Sequence, residues 1–568
     1  MKKLLAVVVF LSVCCCGAAW GGPAHEVYAE KGMVSSAHEL ASRAGVEILQ
    51  KGGNAVDAAI ATQLALNVVE PNASGIGGGG FMTVRFAKSG EVVVLDYREV
   101  APASAVKDMY ASEESKKAKE SVLGGKAIGV PGAVRGIFAA LEKYGTMDFA
   151  AVAEPAIRLA EEGFEIAPMQ KDIVTDAFEK LSKYSPGCAF LPDGLPPEAG
   201  TVLKQPELGK TFRLLAEQGP DAFYKGPMAE AIVEAVNRSG GAMTTDDLAR
   251  YEIQVRKPVT GTYRGYTICS APPASSGGTH IVQILNVMEH FPVSEWKHNS
   301  AEHLHVLAEV SKLAFADRQR FMADTAFVEV PLAGLADKGY AKALAEKIDS
   351  RKAAEEVQAG DPWRFEGKPK AFRVGGAGGE RISTSSFSVV DAEGNVVAST
   401  NTVNYFFGSG VVVPGYGVVL NNEMDDFSQD PESVNAPEPG KRPLSSMSPT
   451  IVLDPEGRPF MTVGAAGATR IITALAQIVM NVVDFGMTMD QAIEQPRIFN
   501  SASGGKAGKL AVEEGIAPEV VEALEAMGHT IDARPFGGWF GTAQGILFRD
   551  GRMNGGADSR RLGVPVGY

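Results

Sequence analysis

Hydrophobic spacing divides this chain into helical and β-rich parts. Residues 130–350 follow helical periodicity, whereas residues 384–427 and 541–552 show the alternation of antiparallel strands. The predicted helices include residues 37–51, 55–69, 132–144, 228–238, 280–290, 301–322, 471–485 and 518–528. Runs of strands flanked by runs of helices predict β-sheets covered by helical layers.

The two N-terminal helices have clear boundaries. The helix at 37–51 stops at a glycine pair, and Asn54 caps the helix at 55–69 before Pro71 ends it. This second helix is apolar around most of its circumference, which predicts burial on several sides.

Glycines 75, 77 and 80 formally match the G-x-G-x-x-G dinucleotide fingerprint. That fingerprint needs a strand before it and a helix after it. Here a helix precedes, and residues 81–86 and 91–95 predict a β-hairpin, so the glycines are interpreted as sites of close backbone packing.

A second hairpin is predicted just after residue 384. Apolar and serine positions alternate up to a turn at 391–395, and the strand resumes at 396–403. Pairing residue 391 with residue 396 would place Thr402 opposite Ser385, with its hydroxyl beside Thr384.

Composition is that of an ordinary globular protein of 568 residues, with 45% apolar and 21% charged residues. No low-complexity linker divides the chain, which predicts one large unit or a cleaved one. The net charge of −14 argues against nucleic acid as a partner, and capture of an acidic substrate would need a local cationic group.

The N-terminus has the pattern of a secretory signal peptide, assigned to residues 1–21: two lysines, an apolar run to residue 16, then small residues. This predicts a periplasmic or secreted protein, with a retained anchor or lipid attachment at the cysteines 14–16 as alternatives. The remaining Cys188 and Cys269 could pair, which the sequence leaves open. With no C-x-x-C or H-E-x-x-H motif, no metal site is predicted.

Thr384 carries the candidate chemistry. A glycine-rich stretch at 375–379 precedes it. Cleavage between Ser383 and Thr384 would give the threonine a free α-amine, whose usual pKa of roughly 7.7 to 8.0 suits a general base. Residues 306–528 contain no histidine, and no G-x-S-x-G motif is present. The pattern therefore favours an N-terminal-nucleophile amidohydrolase over the alternative, a polar strand edge.

Six motifs in order make the resemblance specific: residues 74–81, 96–99, 275–278, the Thr384 segment, 421–427 and 441–449. The chain resembles the γ-glutamyltranspeptidase (glutathione hydrolase) family over nearly its whole mature length. That resemblance implies an α+β fold, the N-terminal-nucleophile hydrolase αββα four-layer sandwich. A large subunit (22–383) and a small catalytic subunit (384–568) of one autocleaved precursor would form one compact unit.

The resemblance also implies site roles. Thr384 is the nucleophile, assisted by Thr402, and the backbone of Gly467 and Ala468 binds the oxyanion. Donor-binding residues fall into three groups: Arg98 for the α-carboxylate; Asp426, with Glu423 and Asn404, for the α-ammonium; and Ser445 and Ser446, also for the carboxylate.

Three positions depart from the family pattern. Ala468 stands where a second glycine is usual, and a positive φ there would be strained. Ser385 and Ser386 stand where threonine and histidine are common.

The implied reaction transfers a γ-glutamyl group from glutathione or other γ-glutamyl compounds, through a Thr384 ester, to water, amino acids or peptides, without a cofactor. Rival interpretations are a glutaryl-type β-lactam acylase or a poly-γ-glutamate hydrolase of the same fold, and an uncleaved exported binding protein. An acylase would not need an ammonium partner, so Asp426 argues against it. Residues 429–440, twelve residues with three prolines, are too short for the long loop that covers the pocket in many relatives.

Overall fold

A computed structural model describes residues 26–367 and 383–568. The predicted signal peptide and the glycines at 375–379 lie outside these ranges. The described helices are α1 Glu39–Gln50, α2 Ala55–Val69, α3 Glu113–Ala118, α4 Ala133–Tyr144, α5 Phe149–Glu162, α6 Pro168–Asp176, α7 Phe178–Tyr184, α8 Pro206–Gln218, α9 Asp221–Tyr224, α10 Gly226–Arg238, α11 Thr245–Ala249, α12 Gly277–Met288, α13 Ala301–Phe321, α14 Leu332–Leu335, α15 Lys338–Ala345, α16 Arg470–Val483, α17 Met489–Glu494 and α18 Pro518–Ala526.

The described strands are β1 Val27–Ala29, β2 Met33–Ser36, β3 Gly79–Arg85, β4 Val92–Asp96, β5 Phe164–Glu165, β6 Val202–Leu203, β7 Gln254–Arg256, β8 Val259–Tyr263, β9 Tyr266–Ser270, β10 Ser385–Val390, β11 Val396–Thr402, β12 Val412–Val413, β13 Val418–Val419, β14 Thr450–Leu453, β15 Pro459–Ala466, β16 Ile498–Phe499, β17 Ala502–Ser503, β18 Lys506–Ala507, β19 Leu510–Glu513, β20 Ile531–Arg534, β21 Thr542–Arg549, β22 Arg552–Ala557 and β23 Val564–Gly567. Fourteen of them form two seven-stranded sheets, with orders β23-β2-β10-β11-β3-β4-β7 and β1-β22-β21-β15-β14-β9-β8. Strands from before and after residue 383 interleave in both sheets.

The two sheets pack face to face between two layers of helices. On the outer side of the first sheet, α1 and α2 pack against β2, β10 and β11, and on that of the second, α12 and α16 pack against β8, β9 and β15. A large apolar core fills each helix–sheet interface. The architecture is therefore the αββα sandwich, and the predicted helix Ala55–Val69 with its Asn54 cap has the predicted bounds.

The space between the sheets is apolar at one end and rich in hydroxyls around β10. Ser386 Oγ donates to Ser399 O at 3.1 Å within the first sheet, and Ser388 Oγ donates across the sandwich to Gln544 O at 3.2 Å. Gly464 on β15 faces Ser386, because a Cβ added at Gly464 would lie 2.1 Å from Ser386 Oγ. The sheets thus approach closely where the candidate nucleophile strand begins.

The predicted hairpin register is wrong by one residue. Ser385 pairs with Asn401, not Thr402, and Val390 pairs with Val396. Asp391 does not join the ladder because its side chain accepts hydrogen bonds from the backbone amides of residues 393, 395 and 55, which enlarges the turn. The observed register places Thr402 level with Thr384 itself.

Residues 411–420 belong to the part of the chain that is expected to be β-rich. They form the two short strands β12 and β13, joined by a turn in which Gly415 and Gly417 have φ of +78° and +66°. Cys188 and Cys269 are both free thiols, so the pairing that the sequence left open is not made. Among the described helices, none combines the length and apolar character required to cross a membrane.

We expect Gly464→Ala to destabilise the protein by about 1–3 kcal/mol, because the new methyl group forces Ser386 Oγ out of its hydrogen bonds or the sheets apart. The thermal midpoint of the purified protein measures the effect. Ser386→Ala removes the obstructing atom and is the matched partner variant. The double variant should therefore be about as stable as Ser386→Ala alone. If its loss of stability equals the sum of the losses of the two single variants, this packing is contradicted.

Candidate active site

Thr384 lies immediately before β10, at the polar end of the sandwich. Its Oγ1 donates a hydrogen bond of 3.0 Å to Thr402 Oγ1, which also accepts from the Asn404 amide at 2.7 Å. The φ of Thr384 is +92°, far from the regions that a β-branched residue normally occupies. Such a conformation costs on the order of 1–3 kcal/mol and persists only where neighbouring contacts impose it.

Two buried side chains supply those contacts. Arg561 Nη1 donates to Thr384 O at 2.6 Å, and Ser385 Oγ donates to Glu70 Oε2 at 2.6 Å. Burial raises the pKa of Glu70, whereas the nearby Arg561 guanidinium, 3.7 Å away, lowers it. Arg561 thus fixes the carbonyl of Thr384, and Glu70 fixes the side chain of Ser385.

A pocket opens in front of Thr384 and gathers most of the residues named from the sequence. Its lining includes the predicted Thr384, Thr402, Asn404, Arg98, Glu423, Asp426, Ser445, Ser446 and Ala468. Gly467 is not part of the lining but is the neighbour of Ala468. The elements that meet here are β11, the loop after β13, the loop before β14 and the turn between β15 and α16.

The floor of the pocket is a buried charge cluster. Arg98 is fully buried and donates to Glu423, to Asp426 Oδ2 at 2.5 Å and to Pro443 O at 3.2 Å. Burial alone would lower the pKa of Arg98, but these carboxylates raise it. Burial in turn raises the pKa of Glu423 and of Asp426, and raises that of the adjoining Glu99 to about 7. One cation therefore faces two lining carboxylates, which together can hold a ligand ammonium.

The turn after β15 has the strain anticipated from its sequence. Gly467 has φ of +140° and Ala468 has φ of +54°, although alanine rarely adopts this region. Gly467 also lies close to Gly541: a Cβ added at Gly467 would be 2.7 Å from the Cα of Gly541. The turn leads directly into α16, so its amides lie at a helix N-terminus, where negative charge is favoured.

Ser445 and Ser446 are fixed by the start of α12. The backbone of Ser445 forms a parallel bridge with Ser275, and Ser276 donates both its amide and its Oγ to Ser445 O, each at 2.8 Å. Gly277 makes this approach possible, because an added Cβ would lie 1.7 Å from Ser448 Oγ. The sequence motif at 275–278 thus supports the serine loop.

Sequence reasoning missed several lining residues. Leu444, Met447, Thr469 and Ile471 neighbour predicted positions, but Arg318 comes from the middle of α13 and belongs to none of the motifs. Helical spacing marks position 318 as facing inward and gives no sign of which pocket it reaches. No histidine lines this pocket within the described residues.

Of the described residues, His305, Glu309 and His529 form a group with ligand-type atoms within 4.8 Å of one another. His305 Nδ1 lies 2.8 Å from His529 Nε2, and Lys312 Nζ lies 2.5 Å from Glu309 Oε1. The lysine neutralises the carboxylate, and burial lowers the pKa of His529 to about 3. Lys312 therefore already provides a positive charge beside this group.

Comparison with known proteins yields close relatives along the whole chain. The family described as gamma-glutamyltranspeptidase matches residues 41–568. The glutathione hydrolase proenzyme of Bacillus subtilis (strain 168) is 41% identical over 543 residues, 94% of this chain and 91% of the relative. The acylase ACY 1 proenzyme of Pseudomonas sp. (strain SE83) is 39% identical over 94% of this chain and 93% of its own length.

A solved structure has the same fold. The cephalosporin acylase from Bacillus halodurans superposes with a TM-score of 0.84 at 29% identity, covering 98% of this chain and 99% of the acylase. The two sequence relatives named above are a hydrolase and an acylase, and each of them spans nearly this entire chain. With the family match extending over more than nine-tenths of its residues, the chain belongs to the γ-glutamyltranspeptidase family.

Proposed function

We propose that this protein is a γ-glutamyltranspeptidase and glutathione hydrolase whose nucleophile is the N-terminal threonine released by cleavage before Thr384. The observation that carries the proposal is the Thr384–Thr402 hydroxyl pair at the mouth of a pocket with paired cations and carboxylates. Two relatives that are named as proenzymes support a precursor that is processed.

Cleavage is proposed to use the same hydroxyl. Thr384 Oγ1 attacks the carbonyl carbon of Ser383, the amide C–N bond breaks, and the hydroxyl proton passes to the departing nitrogen, which becomes the α-amine. Water then hydrolyses the resulting ester and releases the Ser383 carboxylate. Strain at Thr384, whose φ is +92°, favours breaking the Ser383–Thr384 bond, because φ is no longer constrained once the amine is free.

The mature enzyme is proposed to repeat this chemistry on a γ-glutamyl donor. Thr384 Oγ1 attacks the γ-amide carbon, its own α-amine accepts the proton and returns it to the leaving amine, and a γ-glutamyl ester remains. The amides of Gly467 and Ala468, at the start of α16, stabilise the oxyanion. Water, an amino acid or a peptide then takes the γ-glutamyl group.

Recognition of the donor is proposed to depend on its α-ammonium. Glu423 and Asp426 both line the pocket beside Arg98, so their carboxylates can accept hydrogen bonds from a ligand ammonium. A glutaryl side chain lacks that ammonium and does not make these charged hydrogen bonds. The site thus favours γ-glutamyl donors over the glutaryl compounds of an acylase.

Export and assembly complete the proposal. We infer from the N-terminal signal pattern that the precursor is periplasmic or secreted, with lipid attachment as an alternative. The large and small fragments would remain together, because each sheet combines strands from before and after residue 383.

Thr384→Ala should leave the protein as one chain, whereas the wild type should separate into two fragments on a denaturing gel. The alanine variant lacks the attacking oxygen, so donor hydrolysis should also fall at least about 1,000-fold. Thr384→Ser retains the hydroxyl and is the matched control, expected to be cleaved. A small fragment whose mass places its first residue anywhere other than 384 would contradict the mechanism.

Asp426→Asn should raise the KM for a γ-glutamyl anilide by about 10- to 100-fold, because a charged contact to the ammonium is lost. The KM for the matching glutaryl anilide, which has no ammonium, should not rise. Arg98→Lys keeps the charge but loses the planar fork, and should raise KM for both substrates. Equal effects of Asp426→Asn on the two anilides would show that the ammonium site is elsewhere.

The pocket is proposed to lack a cover from the segment after the acidic loop. Residues 427–443 contribute nothing to the lining, and some of their hydrogen bonds stay within the segment, for example Ser428 N to Asn435 O at 2.9 Å. Lys441 Nζ likewise donates to Val434 O at 2.9 Å. An uncovered pocket admits water to the ester and space for larger donors.

We expect measurable glutamate release from short poly-γ-glutamate, and less than a twofold rate gain when an acceptor dipeptide is added to a glutathione assay. Both follow from access of water and of long donors to an open site. Glutamate release and dipeptide products can be followed by chromatography. Strict selectivity for glutathione together with strong stimulation by the acceptor would contradict an open pocket.

A further inference from the structure

The buried arginine at position 318 also reaches the pocket. It lies in α13, is 5% exposed, and lines the pocket together with Thr384 and Asp426. Its Nε donates to Ser276 Oγ at 2.8 Å and its Nη2 donates to Ser446 Oγ at 3.1 Å. Arg318 therefore contacts Ser446 directly, and it contacts Ser276, which in turn holds Ser445.

These contacts determine the direction of two hydroxyl protons. Ser276 Oγ donates to Ser445 O at 2.8 Å while accepting from Arg318. Ser446 Oγ accepts from Arg318 Nη2, so its own proton must point away from the guanidinium. Since Ser446 lines the pocket, its hydroxyl is arranged to donate to an anionic group there.

Charge balance supports the same role. Arg98 bonds Glu423 and Asp426, which line the pocket with it. The charge of Arg318 reaches Asp426, where it contributes to lowering the carboxyl pKa against the larger effect of burial. Arg318 is therefore a second cation of the lining, and it lies beside Ser446.

We propose that Arg318 is a positioning residue that prepares Ser446 to bind the α-carboxylate of the donor. The inference rests on the proposed γ-glutamyl specificity and assigns the carboxylate end of the donor to the Arg318–Ser446 side of the pocket. Arg318 acts through its hydrogen bond to Ser446 and through its positive charge. The role is absent from the sequence motifs, because only the packing of α13 brings position 318 to the serine loop.

The test uses the full-length, cleaved enzyme and three anilides: γ-glutamyl, glutaryl, which keeps the carboxylate only, and 4-aminobutyryl, which keeps the ammonium only. Arg318→Gln should raise KM about 10- to 100-fold for the first two, with kcat changed less than about threefold. The kcat/KM for the third should change less than about threefold. Arg318→Lys, which restores the charge, should recover part of the loss.

A double-variant cycle separates positioning from independent effects. If Arg318 acts through Ser446, Arg318→Gln combined with Ser446→Ala should be little worse than the more impaired single variant. Lys312→Gln is the matched control: Lys312 is a buried cation on the same helix, but it bonds Ala354 O and does not line the pocket. It should leave the KM of all three anilides nearly unchanged.

Two results would overturn the inference. One is an equal loss of kcat/KM for all three anilides in Arg318→Gln, which would indicate a structural role. The other is a pair of fully multiplicative effects for Arg318→Gln and Ser446→Ala. Wild-type hydrolysis of the γ-glutamyl anilide tests the proposed function separately, and if it fails, the glutaryl and 4-aminobutyryl anilides still decide the role of Arg318.

Discussion

The site depends on how strand β10 is held at its first residue. β10 lies between β2 and β11 in the first sheet, and its pairing with β11 sets Thr384 level with Thr402. Arg561 donates a hydrogen bond to the carbonyl of Thr384, and Glu70 accepts one from the side chain of Ser385. Only a segment fixed in this way can keep a threonine at φ of +92°, because a looser one would relax to an ordinary conformation. The strained backbone and the orientation of the nucleophile therefore have the same structural cause.

A second feature of the site is its buried charge. Arg98 and Glu423 are almost fully buried and Asp426 is partly exposed, and a buried unpaired charge would be far more costly than a paired one. Arg98 pairs with both lining carboxylates, and Arg318 supplies a second cation to the same lining. Such a pocket is complementary to a ligand that itself carries both charges. Its selectivity is then a matter of where each charge is placed, more than of the total charge.

How far the sequence predicts this molecule depends on which contacts are local. Helix Ala55–Val69 could be bounded because its cap, Asn54, is adjacent in sequence. The hairpin at β10 was identified, but its register was not, because Asp391 accepts an amide from residue 55, far away in the chain. Arg98 and Asp426 were found through motifs. Arg318 was not, since helical spacing indicates that a residue faces inward without indicating which side chains it meets.

The fold alone does not decide between the activities of its relatives. A cephalosporin acylase superposes on this chain with a TM-score of 0.84, while a glutathione hydrolase is the relative with 41% identity, and both cover almost the whole chain. A shared fold can carry different activities, because function depends on the residues of the site. What can differ is the pocket wall, where Asp426 and Glu423 lie beside Arg98 and are proposed to meet the group that distinguishes a glutamyl from a glutaryl donor. Since the backbone superposes in either case, these two side chains carry, under that proposal, more information about the substrate than the fold does.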